Sequence, residues 1–117
     1  MIFLKLLTMS NKFRVGVPSS KLKSWFNGTE MFVTDEAEAI GIGAGYYLAT
    51  GKIATVFMDS NGFANALEFI TSLLMPYKIS IDLVVARRCD VSWHGVMGNN
   101  VKKIIKLIKY ENQTSFK

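Results

Sequence analysis

Cysteine, histidine and proline are scarce in this chain of 117 residues, which contains one cysteine, one histidine and two prolines. The lone Cys89 excludes an internal disulfide and a cysteine-based zinc site, and such usage is expected in a reducing, cytoplasmic compartment. Apolar runs are too short to span a bilayer, which takes about 20 residues. The opening stretch MIFLKLL is broken by Lys5 and lacks a small-residue cleavage site, so it predicts a first helix and not a signal peptide.

The composition is that of a globular domain, with 50% apolar residues, 20% charged residues and a formal charge of +5. The length fits one domain over residues 1–117. Near the C-terminus, lysines alternate with apolar residues at helical spacing: Lys102, Lys103, Lys106 and Lys109. This pattern favours an amphipathic helix with a solvated basic face, and it leaves a membrane-surface or phosphate-binding role open. Because the sequence has no recognition helix and no set of stacking aromatics, we do not expect a nucleic-acid partner. Since the solvated basic face is the favoured interpretation of the lysines, we do not expect a membrane partner either.

Short apolar runs alternate with helical segments along the chain. This predicts an α/β fold, a single three-layer domain with a mostly parallel sheet and helices on both faces. Strands are predicted at residues 13–15, 30–34, 53–58 and 79–86. Helices are predicted at the N-terminus, from Ser19 or Ser20 to Phe26, at 35–50, at 63–74 and from about residue 98. Ligands of such sheets bind outside the carboxyl ends of the strands, so the loops 34–36, 59–62 and 86–98 form the predicted functional edge.

The longest predicted helix carries Gly41, Gly43 and Gly45 in its interior. These glycines do not form a dinucleotide-binding fingerprint, because their spacing is wrong and they lie outside a strand-to-helix turn. Glycine costs about 1 kcal/mol relative to alanine inside a helix, so the cluster indicates a backbone that another helix approaches closely. Whether that helix belongs to this chain or to a partner is left open by the sequence.

Several segments resemble thiamine-diphosphate-dependent decarboxylases, and most closely the group that acts on phosphonopyruvate and sulfopyruvate. The segment Glu36–Lys52, EAEAIGIGAGYYLATGK, is similar to the motif that begins at the catalytic glutamate of that family. Met58–Asn65, MDSNGFAN, is similar to the family's Met-Gln-Asn-Ser-Gly-Leu-Gly-Asn segment. Further similar segments are Gly16–Pro18 with the serine that follows, Tyr77–Arg88, His94 and Met97–Gly98. The resemblance runs in register over about residues 12 to 108.

This resemblance implies a carboxy-lyase subunit with the pyrimidine-binding type of domain, which supplies half of a shared cofactor site. The cofactor would be thiamine diphosphate, with magnesium held by a separate diphosphate-binding beta subunit and no metal held by this chain. The family's sulfopyruvate enzymes consist of two separate subunits. The expected assembly is therefore a heterotetramer or larger, acting on a small 2-oxoacid.

The resemblance also assigns cofactor-binding residues. Glu36 would be the carboxylate that hydrogen-bonds the aminopyrimidine ring and thereby promotes loss of the thiazolium proton. Without the resemblance, a negative charge in the first turn of a helix is the simpler interpretation of this glutamate. Asn61, Gly62 and Asn65 would lie against the cofactor or the substrate, and a loop followed by a helix start is the simpler alternative for them.

An anionic 2-oxoacid needs cationic and polar donors. Arg87 and Arg88 are the candidates, because the planar fork of arginine suits phosphonate and sulfonate groups, and the resemblance adds Ser19. His94 is the only histidine and would donate a proton or bind the substrate anion. Solvated loop arginines and a packing histidine are the simpler alternatives.

Asp59 departs from the family pattern, because a carboxylate stands where the family has an amide and would repel an anionic substrate. This departure leaves open a non-catalytic regulatory or assembly subunit that retains the pyrimidine-binding fold, although the retained Glu36 argues against it. A nucleotide-type binding module is a third interpretation, to which the absence of a phosphate-binding loop in the sequence is an objection.

Overall fold

A five-stranded, all-parallel sheet forms the centre of the computed structural model, which describes residues 12–90 and 92–117. The strands are β1 (Arg14–Gly16), β2 (Met31–Phe32), β3 (Ala54–Asp59), β4 (Ile81–Ala86) and β5 (Thr114–Phe116), in the spatial order β2-β1-β3-β4-β5. The helices are α1 (Glu36–Thr50), α2 (Phe63–Phe69), which continues as a π-helical segment Ile70–Leu74, and α3 (Ser92–Leu107). Short 3₁₀ segments occupy Ser20–Leu22, Ser60–Gly62 and Glu111–Gln113. The helix predicted for the opening stretch lies outside the described residues.

The strand order explains where the helices lie. The chain steps from β1 to β2 in one direction, and then from β2 past β1 to β3, β4 and β5 in the other direction. Because crossovers between parallel strands are right-handed, α1, α2 and α3 share one face of the sheet, and the Ser20–Leu22 segment lies on the opposite face. The predicted α/β fold, with layers on both sides of a parallel sheet, is confirmed.

Side chains that alternate along the strands form two cores. Val15, Val56 and Leu83 are neighbours in the strand register and are buried beneath the helices. Phe57 points to the opposite face, where it packs against the buried Leu22. Since both faces of the central strands are covered, β3 and β4 read in the sequence as nearly continuous apolar runs.

Helix α1 begins and ends at the residues that the sequence predicts. The Asp35 carboxylate caps its first turn by accepting a hydrogen bond from the Ala37 N–H at 2.8 Å, and Gly51 ends it in the left-handed conformation at φ 73°. Gly43 lies against β3, where a Cβ atom would stand 2.7 Å from a methyl group of Val56. Gly45, in contrast, has no neighbour for an added Cβ within 4 Å. The side of α1 whose backbone has a close neighbour is therefore the side that faces the sheet of this same chain.

A buried ion pair holds the edge strand β2 against β1. Arg14 donates to Glu30 at 2.7 Å, and its guanidinium lies 3.5 Å from the centroid of the Trp25 ring. The Glu30 side chain is 1% exposed and also accepts hydrogen bonds from the backbone N–H groups of Asn27 and Gly28 at 2.9 Å. Burial alone would raise the pKa of Glu30, but these hydrogen bonds and the Arg14 charge outweigh it and hold that pKa below its usual value.

The region after β4 differs from the prediction. The sequence predicts a loop that continues to about residue 98, but α3 already begins at Ser92, so His94 lies in a helix. The prediction is wrong because glycines and asparagines in the first half of α3 favour a loop, whereas packing requires a helix there. Gly98 illustrates this packing, because the helix backbone lies so close to the loop after β4 that a Cβ atom at this position would overlap the backbone carbonyl of Arg88. The predicted amphipathic character of the helix is confirmed in the second half of α3, where Val101 and Ile105 are buried.

The strands also differ in number and length from the prediction. A fifth strand, β5, pairs with β4 through residues 114 to 116 and was not predicted, because Thr-Ser-Phe is too short and polar to give a strand signal. Strand β2 contains only Met31 and Phe32, shorter than the predicted 30–34. The observed β1 is shifted by one residue from the predicted 13–15.

Candidate active site

The strand order reverses at the carboxyl edge of the sheet, between β1 and β3, and we call this place the crevice because parallel sheets form one at such a reversal. The segment after β1 passes to one face of the sheet and the segment after β3 passes to the other. Gly16 packs so closely on Phe57 that a Cβ atom would overlap it, and the Val17 N–H donates to the Phe57 carbonyl at 3.2 Å. Parallel sheets bind ligands at this kind of reversal in strand order, so this crevice is the candidate site.

Glu36, Gly62 and Asn65 meet on one side of this crevice. Glu36 is half-buried at the first position of α1, directly after the cap residue Asp35. The Asn65 side-chain amide donates to the Glu36 carboxylate at 3.3 Å. Any side chain at residue 62 would overlap that carboxylate, so a glycine is required for this arrangement. Asn61 precedes Gly62 in the 3₁₀ segment and is exposed to solvent.

Asp59 and Arg88 form an ion pair where β3 and β4 end. The Arg88 guanidinium lies 3.4 Å from one Asp59 oxygen and donates to Asp90 at 3.3 Å. The hydrogen bond to Asp90, together with the Asp59 charge, raises the pKa of Arg88. The other Asp59 oxygen, Oδ1, is buried and has no partner among residues 12–90 and 92–117. Arg88 therefore balances the negative charge of Asp59, the residue that departs from the family pattern.

Ser60 links the same two loops and was not predicted as a site residue. Its side chain is fully buried, and its hydroxyl oxygen accepts a hydrogen bond from the Arg88 backbone N–H at 2.9 Å. A buried serine after an apolar strand is a weak sequence signal, because serine is equally common in exposed turns. Its effect is to fix the loop that carries Gly62 against the end of β4.

Arg87 follows β4 and Ser19 follows β1, and their side chains contact different elements. The Arg87 Nε donates to the Gly98 carbonyl at 3.1 Å, which ties the arginine to α3. Lys21 donates to the Arg87 carbonyl at 2.6 Å. Ser19 is buried, and its hydroxyl oxygen accepts from the Lys21 N–H at 3.2 Å, so it caps the 3₁₀ segment after β1.

His94 is half-buried in the first turn of α3, and its ring centroid lies 6.0 Å from that of Trp93. None of the hydrogen bonds among the described residues involves the His94 side chain, so the structure does not join it to the Glu36 or Arg88 groups. The neighbouring Trp93 is 77% exposed. Both aromatic residues therefore lie at the rim of the carboxyl edge.

The described residues contain no group of three or more histidine, cysteine, aspartate or glutamate side chains that could hold a metal ion. Among the same residues, no helix is long and apolar enough to cross a membrane.

Comparison with curated proteins finds alpha subunits of sulfopyruvate decarboxylase. The one from Methanococcus maripaludis is 29% identical over 119 residues, covering 92% of this chain and 71% of the relative. That from Methanocaldococcus jannaschii is 34% identical over 86 residues, covering 68% of this chain and 50% of the relative. That from Methanothermobacter thermautotrophicus is 36% identical over 56 residues, or 48% of this chain and 33% of the relative. No family model matches the chain.

This chain is similar to the alpha subunit of sulfopyruvate decarboxylase over most of its own length. The predicted resemblance to a decarboxylase alpha subunit is thereby confirmed. The alignments span between 33% and 71% of the relatives' own lengths. The designation of the relatives as alpha subunits implies that those relatives act with a partner subunit.

Proposed function

We propose that this chain is the alpha subunit of a thiamine-diphosphate-dependent sulfopyruvate decarboxylase. It would act with a separate diphosphate-binding beta subunit that holds magnesium, in a heterotetramer or larger assembly. The observation that carries the proposal is the Glu36–Gly62–Asn65 arrangement at the crevice between β1 and β3. The relatives are alpha subunits of sulfopyruvate decarboxylase, which supports sulfopyruvate as the substrate. Decarboxylation of phosphonopyruvate is the second candidate function.

The residues at the crevice fit the pyrimidine half of the cofactor. Glu36 presents a half-buried carboxylate, and Gly62 leaves space beside it that any side chain would fill. Asn65 adds an amide group beside the carboxylate, and the exposed Asn61 directly precedes Gly62. When bound, thiamine diphosphate supplies the nucleophilic carbon and the electron sink that decarboxylation of a 2-oxoacid requires.

Glu36 would hold the proton that bridges its carboxylate and the pyrimidine ring. Its position at the first residue of α1 places the negative charge at the helix N-terminus, where the dipole stabilises an anion by about 0.3–1 kcal/mol. The Asn65 amide orients the carboxylate through its hydrogen bond. These contacts are the means by which this chain would fix the direction of proton transfer.

The ion pair between Asp59 and Arg88 removes the objection that an acidic residue would repel the substrate. With Arg88 engaged by two carboxylates, Arg87 is the better donor for the sulfonate, because only its Nε is used within the described residues. Ser19 retains its hydroxyl proton for a ligand while its oxygen caps the 3₁₀ segment. His94 at the rim is the proposed proton donor for product release.

The experiment is carbon dioxide release from sulfopyruvate, phosphonopyruvate and pyruvate by this chain with a candidate beta subunit, thiamine diphosphate and magnesium. We expect turnover of sulfopyruvate only when both chains are present, and a loss of at least about 100-fold in kcat for Glu36→Gln. Glu38→Gln is the matched control, because Glu38 is an exposed carboxylate in the same helical turn. Equal activity of Glu36→Gln and Glu38→Gln would contradict the assigned role.

The alternative of a non-catalytic regulatory subunit makes a different prediction in the same assay. The beta subunit would then turn over the substrate alone, and this chain would change only its rate or stability. The Glu36–Asn65 contact disfavours this alternative, because a regulatory subunit has no need of an oriented carboxylate in the crevice.

A further inference from the structure

Two contacts hold the 3₁₀ segment Ser60–Gly62, which we call the Ser60 turn, against the loop after β4. The Ser60 hydroxyl oxygen accepts a hydrogen bond of 2.9 Å from the backbone N–H of Arg88, and the preceding residue, Asp59, pairs with the Arg88 side chain. The side chain of Arg88 is 20% exposed, whereas Ser60 has no exposed surface. Water therefore competes for the ion pair at its exposed side but has no access to Ser60.

The other end of the Ser60 turn meets the Glu36 carboxylate. The backbone of Gly62 lies so close to this carboxylate that a Cβ atom would overlap it. Asn65, in the first turn of α2, donates to the same carboxylate at 3.3 Å. Glu36 itself belongs to another helix, α1. Because Ser60 and Gly62 share one turn of three residues, a shift of Ser60 displaces Gly62 and Asn65 relative to Glu36.

The loop after β4 is in turn fixed to α3. The Arg87 Nε donates to the Gly98 carbonyl at 3.1 Å, and Gly98 packs on the Arg88 carbonyl without room for a Cβ atom. Arg87 and His94, the proposed substrate-binding and proton-donating residues, are therefore carried by a loop and a helix that are packed together. The hydrogen bond of Ser60 joins this unit to the turn that contacts Glu36.

We propose that Ser60 is a positioning residue of the candidate active site. Through its hydrogen bond to Arg88 it fixes the Ser60 turn, and it thereby sets where the Glu36 carboxylate stands relative to the loop after β4. Ser60 contacts neither cofactor nor substrate and acts only through Gly62 and Asn65. Its effect on catalysis rests on the proposed function, whereas its effect on the position of Glu36 does not.

The first test is NMR spectroscopy of the full chain, in which Ser60→Ala removes the acceptor and little else. The Arg88 amide hydrogen should exchange with solvent about tenfold faster, because it loses its hydrogen bond. The signals of the Glu36 carboxyl carbon and of the Asn65 side-chain amide should shift. Ile105→Val is the matched control, because it removes a buried methyl group from α3, away from the Ser60 turn, and should leave both signals in place. Unshifted Glu36 and Asn65 signals in Ser60→Ala, or equal shifts in Ile105→Val, would overturn the proposal.

The second test is turnover of sulfopyruvate by the chain with a candidate beta subunit, thiamine diphosphate and magnesium. Ser60→Ala should lower kcat by about tenfold or more with little change in KM, since a displaced carboxylate affects the reaction more than substrate binding. Ile105→Val should keep the kcat of the wild type. Equal kcat of Ser60→Ala and wild type would overturn the catalytic part of the proposal. If the wild type itself shows no turnover, the proposed function fails, and the NMR comparison alone decides whether Ser60 positions Glu36.

Discussion

The carboxylate of Glu36 occupies space that exists only because residue 62 has no side chain. In Gly62→Ala, the overlapping atoms are the outer atoms of a flexible glutamate, so we expect the carboxylate to move while the fold persists. The kcat of the proposed decarboxylase assembly should fall by at least about tenfold, since small displacements of positioned groups cost this much or more, with little change in Tm. Gly45→Ala, which adds the same methyl group in open space, is the control for activity. Full activity of Gly62→Ala would show that the carboxylate position is unimportant.

The buried Arg14–Glu30 pair makes stability depend on pH. The folded-state pKa of Glu30 lies below its ordinary value of 4.5, so the pair contributes its full stabilisation above about pH 4.5 and loses it as the pH falls through the lowered pKa. Glu30→Gln should lower the free energy of unfolding at pH 7 by about 3 kcal/mol, because it leaves a buried arginine without its partner charge. Urea unfolding at pH 7, 5 and 3 measures both effects.

Glu30→Gln should also lose less stability than the wild type when the pH falls from 5 to 3. Glu111→Gln is the comparison, since Glu111 is an exposed carboxylate and should leave the acid dependence nearly unchanged. Identical pH dependence of Glu30→Gln and wild type would mean that another carboxylate causes the acid sensitivity.

At the scale of single residues, the sequence predicts which residues belong to the site better than it predicts which of them contact each other. Glu36, Gly62 and Asn65 were all predicted as cofactor-binding, and the structure brings them together. The pairing of Asp59 with Arg88 was not predicted, because it joins residues 29 positions apart whose proximity depends on the register of β3 and β4. The roles of Glu36, Gly62 and Asn65 towards a ligand stay predictions.

Helix α1 offers a direct test of how its two sides differ. Gly43→Ala should destabilise the isolated chain by about 1–3 kcal/mol, because the methyl group would press into Val56 and the tightly packed sheet. Gly45→Ala should instead stabilise it by about 0.5–1 kcal/mol, because the position is open and alanine is the better helix former. Chemical denaturation measures the free energy of unfolding of both variants. A change of the same sign in Gly43→Ala and Gly45→Ala would refute the packing described for α1.

The end of α3 carries a lysine in a conformation that favours glycine. Lys109 has φ 61°, and side chains other than that of glycine strain the backbone there. Lys109→Gly should therefore raise the free energy of unfolding by about 0.5–1 kcal/mol, as measured by urea titration. Lys103→Gly, inside the same helix, should lower it by about 1 kcal/mol. A destabilised Lys109→Gly would show that the lysine side chain makes a compensating contact.

Elements with strong end signals were the most predictable. Asp35 and Gly51 fixed the limits of α1 in the sequence, because a cap acts through local hydrogen bonds and local φ. The beginning of α3 and the strand β5 were not predictable in this way. Both form because of contacts with β4 or the loop after it, which lie outside the segment itself and overrule a weak local preference.

For the whole molecule, the sequence predicted a parallel sheet with a functional edge at the carboxyl ends of its strands. It did not predict the strand order, because apolar patterns reveal which strands are buried and not which strands are neighbours. The order matters for function, since the crevice exists only where β1 and β3 send their following segments to opposite faces. The residues that the family resemblance singles out and the strand order thus point to the same edge.

The all-parallel pairing also has a consequence for the time that folding takes. No pair of neighbouring strands can be closed by a tight turn, because parallel strands need a crossover of a dozen or more residues. The first stable pairing is expected between β3 and β4, which are joined over six residue pairs and connected through α2. Refolding should therefore take milliseconds or longer, on the order expected when distant residues must meet before contacts form. A newly made chain should therefore pass through a stage in which its strand edges are open and can pair with other chains before the sheet is complete.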